Sequence, residues 1–353
     1  MVKNQIITDN YSVYNGDCVE VISELPSNCV DLTCYSPPFA GLYNYSSSEK
    51  DMSNCKDKWQ FLDQYEFLVK EIARVTKPGR ITAVHCTDII NQNGSNWDFP
   101  HHIIGLHEKY GFEYKNRITI WKEPLKVRMR TMVRSLMHKL IVEDSTECFT
   151  AMPDYVLIFK KKGENAVPVT HPVGLKHYAG QYPFLLAHLD HYGLPGSISP
   201  VWDSKTNKKS MTDGIENYIE ASFEALKAKF ADHEDPKTNK LSHIIWQRYA
   251  SSVWDDIRID NVLQYKESKE EDDEKHVHPL QLDVIDRIVE LYSNPGEVVL
   301  TPFAGVGSEV YSPVSLGRKA IGVELKDSYF KQMIKNLETV NDRFKNEKVP
   351  VLF

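Results

Sequence analysis

Short apolar runs alternate with segments of helical apolar spacing near both ends of the chain, and this alternation predicts the fold. The strand-like runs are residues 11–17, 30–35, 80–86, 113–121, 155–161, 297–300 and 319–323. The helix-like segments are residues 18–25, 65–75, 99–110, 214–230, 279–292 and 328–344, with a further helix starting at about residue 308. Strands separated by helices in this way predict an α/β fold whose parallel or mixed sheet is covered on both faces.

The middle of the chain has a different character. Residues 164–274 are rich in Pro, Gly, His, Tyr and Lys, and only residues 214–230 have a clear helical pattern. A charge run at residues 266–275 contains six acidic residues and is predicted to be an exposed linker or loop. The sequence therefore divides into residues 1–163, an intervening region 164–274, and residues 275–353, where the alternation resumes.

The composition is that of an ordinary globular protein. The chain has 353 residues, of which 41% are hydrophobic and 26% charged, enough for one large domain or two modest ones. It contains no run of about 18 apolar residues, so no membrane span is expected, and its first residues lack the apolar core of a signal peptide. The six cysteines are scattered without a Cys-x-x-Cys pair, which indicates reduced thiols in a cytosolic protein and no zinc site.

The net charge of −7 counts against nucleic-acid binding, but the distribution of charge changes that picture. Between residues 121 and 140, six basic side chains accompany a single acid, Glu123. The six are Lys122, Lys126, Arg128, Arg130, Arg134 and Lys139. A local patch of this kind can contact phosphate groups while the rest of the molecule stays acidic. The same residues also suit a solvated surface with salt bridges, and the sequence leaves both interpretations open.

The strand-like run at residues 30–35 stops at the turn Ser36-Pro37-Pro38-Phe39. Proline fixes φ and lacks an N–H, so the chain must turn there. The turn holds a small polar side chain, stiffly placed backbone carbonyls and an aromatic ring. Acceptors aimed at an amino group, beside a ring on which a planar group can stack, suit chemistry on an exocyclic amine. The alternative is a proline-rich loop with a purely structural role.

A second candidate site lies late in the chain. The strand-like residues 298–300 lead into a turn with Gly305 and Gly307, and a helix follows. The glycines allow a sharp turn and leave room for a ligand, which the first N–H groups of the helix would face. The next strand ends at Glu324, whose carboxylate can accept both hydroxyl hydrogens of a ribose. The spacing predicts a nucleoside-containing ligand but does not match the dinucleotide pattern G-x-G-x-x-G.

Together these two sites resemble those of a known family. The turn 303–307 and Glu324 resemble the first and second motifs of S-adenosylmethionine-dependent methyltransferases. The turn 36–39 resembles the catalytic (Asp/Asn/Ser)-Pro-Pro-(Tyr/Phe) motif of DNA amino methyltransferases. The catalytic motif comes first here, an order that resembles the β class of prokaryotic and phage enzymes. The resemblance covers about residues 10–160 and 275–345, and implies a Rossmann-like mixed seven-stranded sheet, circularly permuted, with an inserted target-recognition region.

The resemblance implies a role for each part of the chain. Residues 1–163 would be the catalytic half of the domain, 164–274 the target-recognition region and linker, and 275–353 the half that binds S-adenosylmethionine. The implied cofactor-binding residues are Asp17, His278, Pro279, Gln281, Thr301, Pro302, Phe303, Ala304, Gly305, Gly307, Ser308, Glu324 and Leu325. The implied target-base or DNA residues are Tyr35, Trp121, Lys122, Lys126, Arg128, Arg130 and Arg134. Leu282 and Asp283 stand where the family often has Lys-Pro, so contacts from these two positions stay open.

The mechanism implied by the resemblance requires the target base to leave the DNA helix. The base would stack on Phe39, with Trp121 or Tyr35 beside it. Its exocyclic amine would donate hydrogen bonds to the Ser36 hydroxyl and to the Pro37 carbonyl, and Pro38 would stiffen the turn. The nitrogen then attacks the sulfonium methyl in line. Catalysis is therefore positioning and dipole stabilisation, and no metal is required.

The first residue of the catalytic motif favours one acceptor base over the other. Serine at this position is commoner among cytosine-N4 enzymes, and aspartate among adenine-N6 enzymes, so Ser36 favours cytosine N4. The cytosine-N4 signature usually reads Thr-Ser-Pro-Pro, whereas Tyr35 precedes Ser36 here. Adenine N6 therefore stays open.

Other functions compete with this one. Methyltransferases of protein glutamine or of RNA use a similar Asn-Pro-Pro-Tyr turn but usually place the cofactor motif first. A DNA-binding module without catalysis is a further candidate, and the intact Ser36, Gly305, Gly307 and Glu324 count against it. The resemblance also implies double-stranded DNA as partner, a homodimer, a cognate restriction endonuclease or none, no membrane partner, and the cytoplasm of a prokaryotic or phage-infected cell.

Overall fold

A mixed α/β sheet organises the larger of the two units into which the chain divides. The computed structural model describes residues 2–38, 51–91, 95–181, 201–203, 208–268 and 279–343. The larger unit comprises Met1–Val169 and Ile259–Phe353, and the smaller unit comprises Thr170–Arg258. Both the first and the last part of the chain therefore belong to one unit.

Strands and helices alternate through most of the described residues. The strands are β1 (Asn4–Ile7), β2 (Tyr11–Asn15), β3 (Val30–Tyr35), β4 (Thr76–Cys86), β5 (Ile89–Ile90), β6 (Asn96–Trp97), β7 (Phe112–Ile120), β8 (Asp154–Lys161), β9 (Val201–Asp203), β10 (Lys208–Ser210), β11 (Val253–Trp254), β12 (Val298–Thr301) and β13 (Lys319–Glu324). The helices are α1 (Cys18–Ser23), α2 (Lys58–Val75), α3 (Phe99–Lys109), α4 (Pro124–Thr131), α5 (Leu140–Glu143), α6 (Met211–Phe230), α7 (Lys240–Tyr249), α8 (Leu282–Tyr292), α9 (Ser308–Ser315) and α10 (Asp327–Glu338). Short 3-10 turns lie at Met52–Asn54, Arg134–Leu136, Ser145–Glu147, Lys266–Ser268 and Val340–Asp342.

The sheet is parallel at its centre and antiparallel at both sides. Within the described part of the larger unit, eight strands pair in the order β1-β2-β13-β12-β3-β4-β8-β7. The run from β2 to β4 is parallel, whereas β1 pairs antiparallel with β2, and β8 pairs antiparallel with both β4 and β7. The mixed seven-stranded sheet predicted from the sequence is confirmed, with β1 added at its edge.

A strand from the end of the chain lies beside a strand from its beginning. In the pairing of β12 with β3, Val299 is opposite Leu32 and Leu300 is opposite Thr33. The two strands are parallel, so their carboxyl ends meet at the same edge of the sheet. This is the permuted order that the motif order predicted: the strand before the proline turn comes early, and the strand before the glycine turn comes late.

Helices cover the sheet because their apolar residues recur on one side. On one face, α1, α2 and α3 bury a cluster that includes Ile22, Phe61, Tyr65 and Phe99 against strand residues such as Val84. The helix α8 packs against β3 and β4 and buries Val284, Ile285 and Ile288, among others. Burial of one such side chain stabilises the fold by roughly 1.5–3 kcal/mol.

Several predicted boundaries move for local reasons. The helix α2 begins at Lys58, well before the predicted residue 65, because the Asp57 carboxylate caps the N–H groups of Trp59 and Gln60. The helix α8 begins at Leu282 and not at residue 279, because Gln281 has an extended backbone conformation with ψ 134°. Residues 269–278, which include most of the predicted charge run, lie outside the described residues.

An ion network joins three central strands at the end opposite the two turns. The Asp31 carboxylate accepts hydrogen bonds from Lys77 (2.6 Å), from Arg80 (3.0 Å) and from the backbone N–H of Val298 (3.0 Å). Arg80 also pairs with Glu297. Asp31 and Arg80 are both buried, so the loss of either side chain would leave the other charge buried without compensation. The network therefore fixes β3, β4 and β12 in one register.

The smaller unit is mainly helical in its described part. The helices α6 and α7 bury apolar side chains that include Phe223, Leu226, Ile245 and Tyr249. The α6 helix contains the predicted helical segment 214–230. Within the described residues of the whole chain, no helix is long and apolar enough to cross a membrane.

Candidate active site

The proline turn follows β3 directly and places Ser36 at the carboxyl edge of the sheet. Ser36 is partly exposed, and its Oγ lies 2.8 Å from Nδ1 of His85, which stands near the end of the neighbouring strand β4. Pro37 is buried and Pro38 is partly buried, so the turn is held against the protein on one side. Phe39, the fourth residue of the predicted motif, lies outside the described residues.

Tyr35 does not have the role that the sequence suggested. Its side chain is fully buried, and its hydroxyl lies 2.6 Å from that of Tyr65 and 3.4 Å from Nε2 of His107. Side chains alternate along a strand, so Tyr35 points into the helix-covered core and its ring cannot stack on a target base. Burial raises the pKa of both tyrosines, so the two hydroxyls stay neutral hydrogen-bonding groups.

The glycine turn 303–307 links β12 to α9. Gly305 and Gly307 have φ values of +53° and +97°, which side chains rarely adopt. A Cβ on Gly307 would lie 2.7 Å from Met333, whereas a Cβ on Gly305 would have no atom of the described residues within 4 Å. Gly307 is therefore required by packing, and Gly305 borders open space in which a ligand can approach the backbone.

Glu324 closes the glycine turn from the next strand. Its Oε2 accepts from the Gly305 N–H and its Oε1 from the Lys326 N–H, both over 2.8 Å. Burial raises its pKa to about 7, and the two backbone hydrogen bonds limit that rise. A carboxylate oxygen has a second lone pair, so both oxygens can still accept a hydroxyl hydrogen from a ligand.

More polar groups lie buried along the same loop and helix. Glu309, in the first turn of α9, is buried, and its pKa is raised to about 8 by burial, with a further contribution from Glu324. The Oγ1 of Thr301 and the Oγ of Ser308 are buried and have no hydrogen-bond partner among the described residues. Unpaired buried hydroxyls are costly, so this loop is equipped for a polar ligand.

The remaining predicted cofactor residues are placed as follows. Asp17, at the end of β2, is partly buried and caps α1 by accepting from the Glu20 N–H. Pro279 and Gln281 are partly buried at the start of α8, and His278 lies outside the described residues. Pro302 and Ala304 are buried in the glycine turn, and Leu325 follows Glu324. Sequence reasoning missed Asn15, whose amide donates to the carbonyls of Glu324 and Leu325 and joins the ends of β2 and β13.

Sequence reasoning also missed His85 and Asp154. Nε2 of His85 lies 3.4 Å from Oδ2 of Asp154, and Oδ1 of Asp154 accepts from Lys122 over 2.5 Å. Lys122, predicted to meet DNA, is therefore bonded within the protein. Burial opposes ionisation of Asp154, but the Lys122 charge and the His85 contact outweigh it and lower the pKa to about 2. No motif in the sequence marks these two residues, because their contacts depend on how β3, β4 and β8 pair.

The rest of the predicted DNA-contacting segment lies at the protein surface, with Arg128 partly buried and Lys126, Arg130 and Arg134 exposed. It forms α4 and the turn that follows, and no residue of α4 is buried. Trp121 is 47% exposed just after β7. Lys126 lies 3.7 Å from Glu123, whereas Arg128, Arg130 and Arg134 form no ion pair with any other described residue. Three cations are therefore left for an external anion.

The proline turn and the glycine turn are neighbours in space. The ring centroids of Tyr35 and Phe303, one residue before the first turn and at the start of the second, lie 6.0 Å apart. The structure thus joins two sites that the sequence separates widely. Within the described ranges, no three or more metal-ligating side chains cluster together.

The fold and these two adjoining turns define an α/β methyltransferase. The family model for DNA methylases of the N6 and N4 type matches residues 30–335. The chain belongs to this family.

Relatives are similar to this chain in sequence, and a solved structure is similar to it in fold. Type II methyltransferase M.BamHI of Bacillus amyloliquefaciens is 25% identical over 346 residues, which are 98% of this chain and 60% of the relative. DNA adenine methyltransferase YhdJ of Escherichia coli (strain K12) is 32% identical over 154 residues, 43% of this chain and 47% of YhdJ. The structure of TTHA0409 from Thermus thermophilus, complexed with S-adenosyl-L-methionine, matches with a TM-score of 0.55 at 18% identity, covering 94% of this chain and 95% of that chain. This chain thus spans about 60% of the length of M.BamHI.

Proposed function

We propose that this protein transfers a methyl group from S-adenosylmethionine to the exocyclic amine of a base flipped out of double-stranded DNA, with cytosine N4 as the preferred acceptor. The observation that carries the proposal is the contact of the two turns. The Tyr35 and Phe303 rings are 6.0 Å apart, so an acceptor held by Ser36 would lie beside a ligand bound at the glycine turn. Such proximity can remove several kcal/mol from the barrier of a direct transfer.

The residues of the glycine turn fit this cofactor. The open space beside Gly305 would admit the ligand against the backbone. Glu324 would accept the ribose hydroxyls, and the unpaired hydroxyls of Thr301 and Ser308 offer further polar contacts. When bound, the cofactor supplies an activated methyl on a cationic sulfur, and the buried Glu309 carboxylate is a group whose ionisation such a cation would favour. The TTHA0409 complex is a precedent for this ligand in the same fold.

The proline turn would hold the target amine. Ser36 Oγ and the Pro37 carbonyl would accept its two hydrogens, and this draws the nitrogen lone pair out of conjugation with the ring. Pro37 is buried and cannot move away, so the acceptors are preorganised. Phe39, and Trp121 on the exposed side, would stack on the base.

Exposed cations would hold the DNA backbone. Arg128, Arg130 and Arg134 have no ion-pair partner among the described residues, and Lys126 has only a distant one. An overall charge of −7 disfavours DNA elsewhere on the surface, which concentrates binding at this segment. We propose Thr170–Arg258 as the core of the target-recognition region. The homodimer and the cognate restriction endonuclease remain predictions from the resemblance. The similarity to M.BamHI, which is named a Type II methyltransferase, supports the prediction of a restriction endonuclease.

Cytosine N4 and adenine N6 are distinguishable by experiment. Ser36 supports cytosine, whereas the partial similarity to the adenine enzyme YhdJ supports adenine. Nucleoside mass spectrometry of DNA from cells that express the protein reports the base, and modification-sensitive sequencing of the same DNA reports the site. N4-methylcytosine is the expected product. N6-methyladenine alone would overturn the preference for cytosine, and absence of both modifications, beside an active control methylase, would overturn the proposed function.

A further inference from the structure

Four side chains form a continuous chain from the proline turn into the protein. Ser36 Oγ lies 2.8 Å from His85 Nδ1, His85 Nε2 lies 3.4 Å from Asp154 Oδ2, and Asp154 Oδ1 accepts from Lys122 Nζ over 2.5 Å. Three neighbouring strands bring them together: His85 is on β4, Asp154 begins β8, and Asp154 pairs with Ile120 at the end of β7. His85 and Asp154 are both buried, so the middle of the chain is shielded from water, whereas Lys122 at its far end is partly exposed.

Asp154 fixes which nitrogen of His85 carries the proton. The Lys122 charge keeps Asp154 ionised, with a pKa of about 2 in spite of its burial. An ionised carboxylate can only accept, so the hydrogen of His85 belongs on Nε2, facing Asp154. Among the described residues Nε2 is buried and forms no hydrogen bond of regular geometry, and the carboxylate oxygen of Asp154 at 3.4 Å is an acceptor beside it. Nδ1 is then a bare acceptor, and it takes the hydroxyl hydrogen of Ser36.

This arrangement determines what Ser36 presents to a target amine. Its hydrogen is committed to His85, so only its lone pairs face outward, and these accept a hydrogen from the amine. Methyl transfer gives the nitrogen a fourth bond and a positive charge, and one of its protons must then leave. A neutral serine is a poor final acceptor for that proton. The imidazole behind it is a good one, because its unprotonated nitrogen has a lone pair that can bind a proton to give imidazolium.

We propose that His85 is the proton acceptor of the reaction, acting through Ser36, and that Asp154 and Lys122 hold it ready. The inference rests on the proposed function. The amine lone pair forms the new N–C bond as the S–C bond breaks. The electron pair of the S–C bond stays on sulfur. The methylated amine then gives one proton to Ser36 Oγ while Ser36 gives its own to His85 Nδ1. Ser36 is unchanged, His85 becomes imidazolium beside Asp154, and the product amine is neutral.

Other charged groups around β4 have partners of their own. The helix α8, which packs against β3 and β4, carries Asp283, Asp286 and Arg287. Asp283 accepts from Asn261 over 2.6 Å, and Asp286 pairs with Arg343. The helix α2 buries its apolar side chains against Val84 and Cys86, whose side chains alternate with that of His85. Asp154 and Lys122 are therefore the charged side chains in the series of contacts that leads to His85.

The proton transfer is tested by single-turnover methylation of DNA at saturating S-adenosylmethionine, measured against pH. The wild-type rate is expected to be lower at acidic pH, because an imidazole that already carries a proton cannot accept another. His85→Gln keeps a hydrogen-bonding group of similar reach but cannot take a proton, so its rate should fall by ~10²–10³-fold and lose this pH dependence. His101→Gln, an exposed histidine on α3, is the matched control and should behave as wild type.

A second measurement does not depend on catalysis. In the full-length protein labelled with ¹³C-histidine, the resonance missing from His85→Gln identifies His85, and its titration midpoint is followed by NMR. Asp154→Asn removes the anion and should move the midpoint to lower pH. Lys122→Met removes the cation and should move the midpoint to higher pH. If these side chains only tie strand ends together, their substitutions should lower the melting temperature. They should then leave the pH dependence of the methylation rate unchanged. If the proposal is right, the rate profile moves in the same two directions as the NMR midpoint.

The outcomes separate this inference from the function beneath it. If wild-type protein methylates DNA and His85→Gln keeps the rate and pH profile of wild type, the His85 role is wrong and the proposed function stands. If wild type methylates neither base, both are wrong. The melting temperature of His85→Gln and its affinity for S-adenosylmethionine show whether this variant folds. If it does not fold, Asp154→Asn is the deciding variant. A pH–rate profile of Asp154→Asn with the same midpoint as wild type would overturn the proposal.

Discussion

The backbone N–H of Gly305 donates to the Glu324 carboxylate over 2.8 Å, and this bond links the glycine turn to the strand beside it. The same carboxylate accepts from Lys326 on its other oxygen. Glu324 is thus held rigidly in the position where it would meet a ribose. Its structural bonds and its proposed ligand contacts use different lone pairs of the same two atoms.

We expect Glu324→Gln to weaken S-adenosylmethionine binding by roughly 1–3 kcal/mol, the usual effect of losing a charged hydrogen-bonding partner. Isothermal titration calorimetry with the purified protein measures the change. Asp327→Asn is the control, because Asp327 is exposed nearby and bonds to Lys3. Equal affinity in Glu324→Gln and wild type would show that Glu324 only supports the turn.

The stability of the ligand-free protein is expected to fall as pH rises from about 5 to 8. Burial raises the pKa of Glu309 to about 8 and that of Glu324 to about 7, from an ordinary value of 4.5. In this window the folded state binds protons that the unfolded state has released, so a rise in pH favours unfolding.

Between pH 6 and pH 9, the free energy of unfolding of wild type should fall by roughly 2–4 kcal/mol. Glu309→Gln should remove most of this fall, because the pKa of Glu309 is raised further than that of Glu324. Urea denaturation at the two pH values measures the difference. Glu108→Gln, an exposed position on α3, should leave the pH dependence of wild type intact. A Glu309→Gln protein whose stability varies with pH as wild type does would place the Glu309 carboxylate in a wetter environment than the structure shows.

Ser36→Ala should lose most turnover and keep its affinity for S-adenosylmethionine. The substitution removes one of the two acceptors for the target amine, at a position that does not belong to the glycine turn. We expect the single-turnover rate to fall by at least ~10²-fold, as for loss of one preorganised polar contact in an active site. A rate within threefold of wild type would exclude Ser36 from the chemistry. Phe39→Ala is predicted from the sequence motif to have a similar effect.

Arg128→Ala and Arg130→Ala should weaken DNA binding without changing cofactor affinity. Neither arginine has an ion-pair partner among the described residues, so both are available to phosphates. A plot of log affinity against log salt has a negative slope. In the double variant this slope should become less steep by roughly 2, since each lost phosphate contact contributes about 0.9. Lys335→Ala on α10, where Lys335 pairs with Glu267, is the control. An unchanged slope would mean that the segment is only a solvated surface.

The strands and most helices could be predicted because their signals are local. Apolar periodicity marks each of the seven predicted strands, and two prolines or two glycines mark the turns that end β3 and β12. The proximity of the two turns was implied by the family resemblance, since its mechanism places the amine at the proline turn beside the methyl donor at the glycine turn. The β1 strand was missed because its side chains are largely exposed and give little periodic signal.

Contacts that depend on strand register could not be predicted. His85 meets Ser36 and Asp154 only because β4 lies between β3 and β8, and nothing near residue 85 announces this. Lys122 was assigned to a basic surface because its sequence neighbours are basic, yet its side chain turns back to Asp154. Tyr35 was placed beside the base because it adjoins Ser36, although adjacent residues of a strand face opposite sides.

The insertion of β12 and β13 between β2 and β3 has a consequence for biosynthesis. A ribosome releases β2 and β3 early, but the two strands that lie between them are translated only after the whole intervening region. Until then the nascent chain carries two unpaired strand edges at the centre of its future sheet. Unpaired edges of this kind promote mispairing and binding by chaperones. The candidate site can therefore form only after β12 and β13 have been translated, and a chain interrupted before them would have the proline turn without the neighbouring turn that completes it.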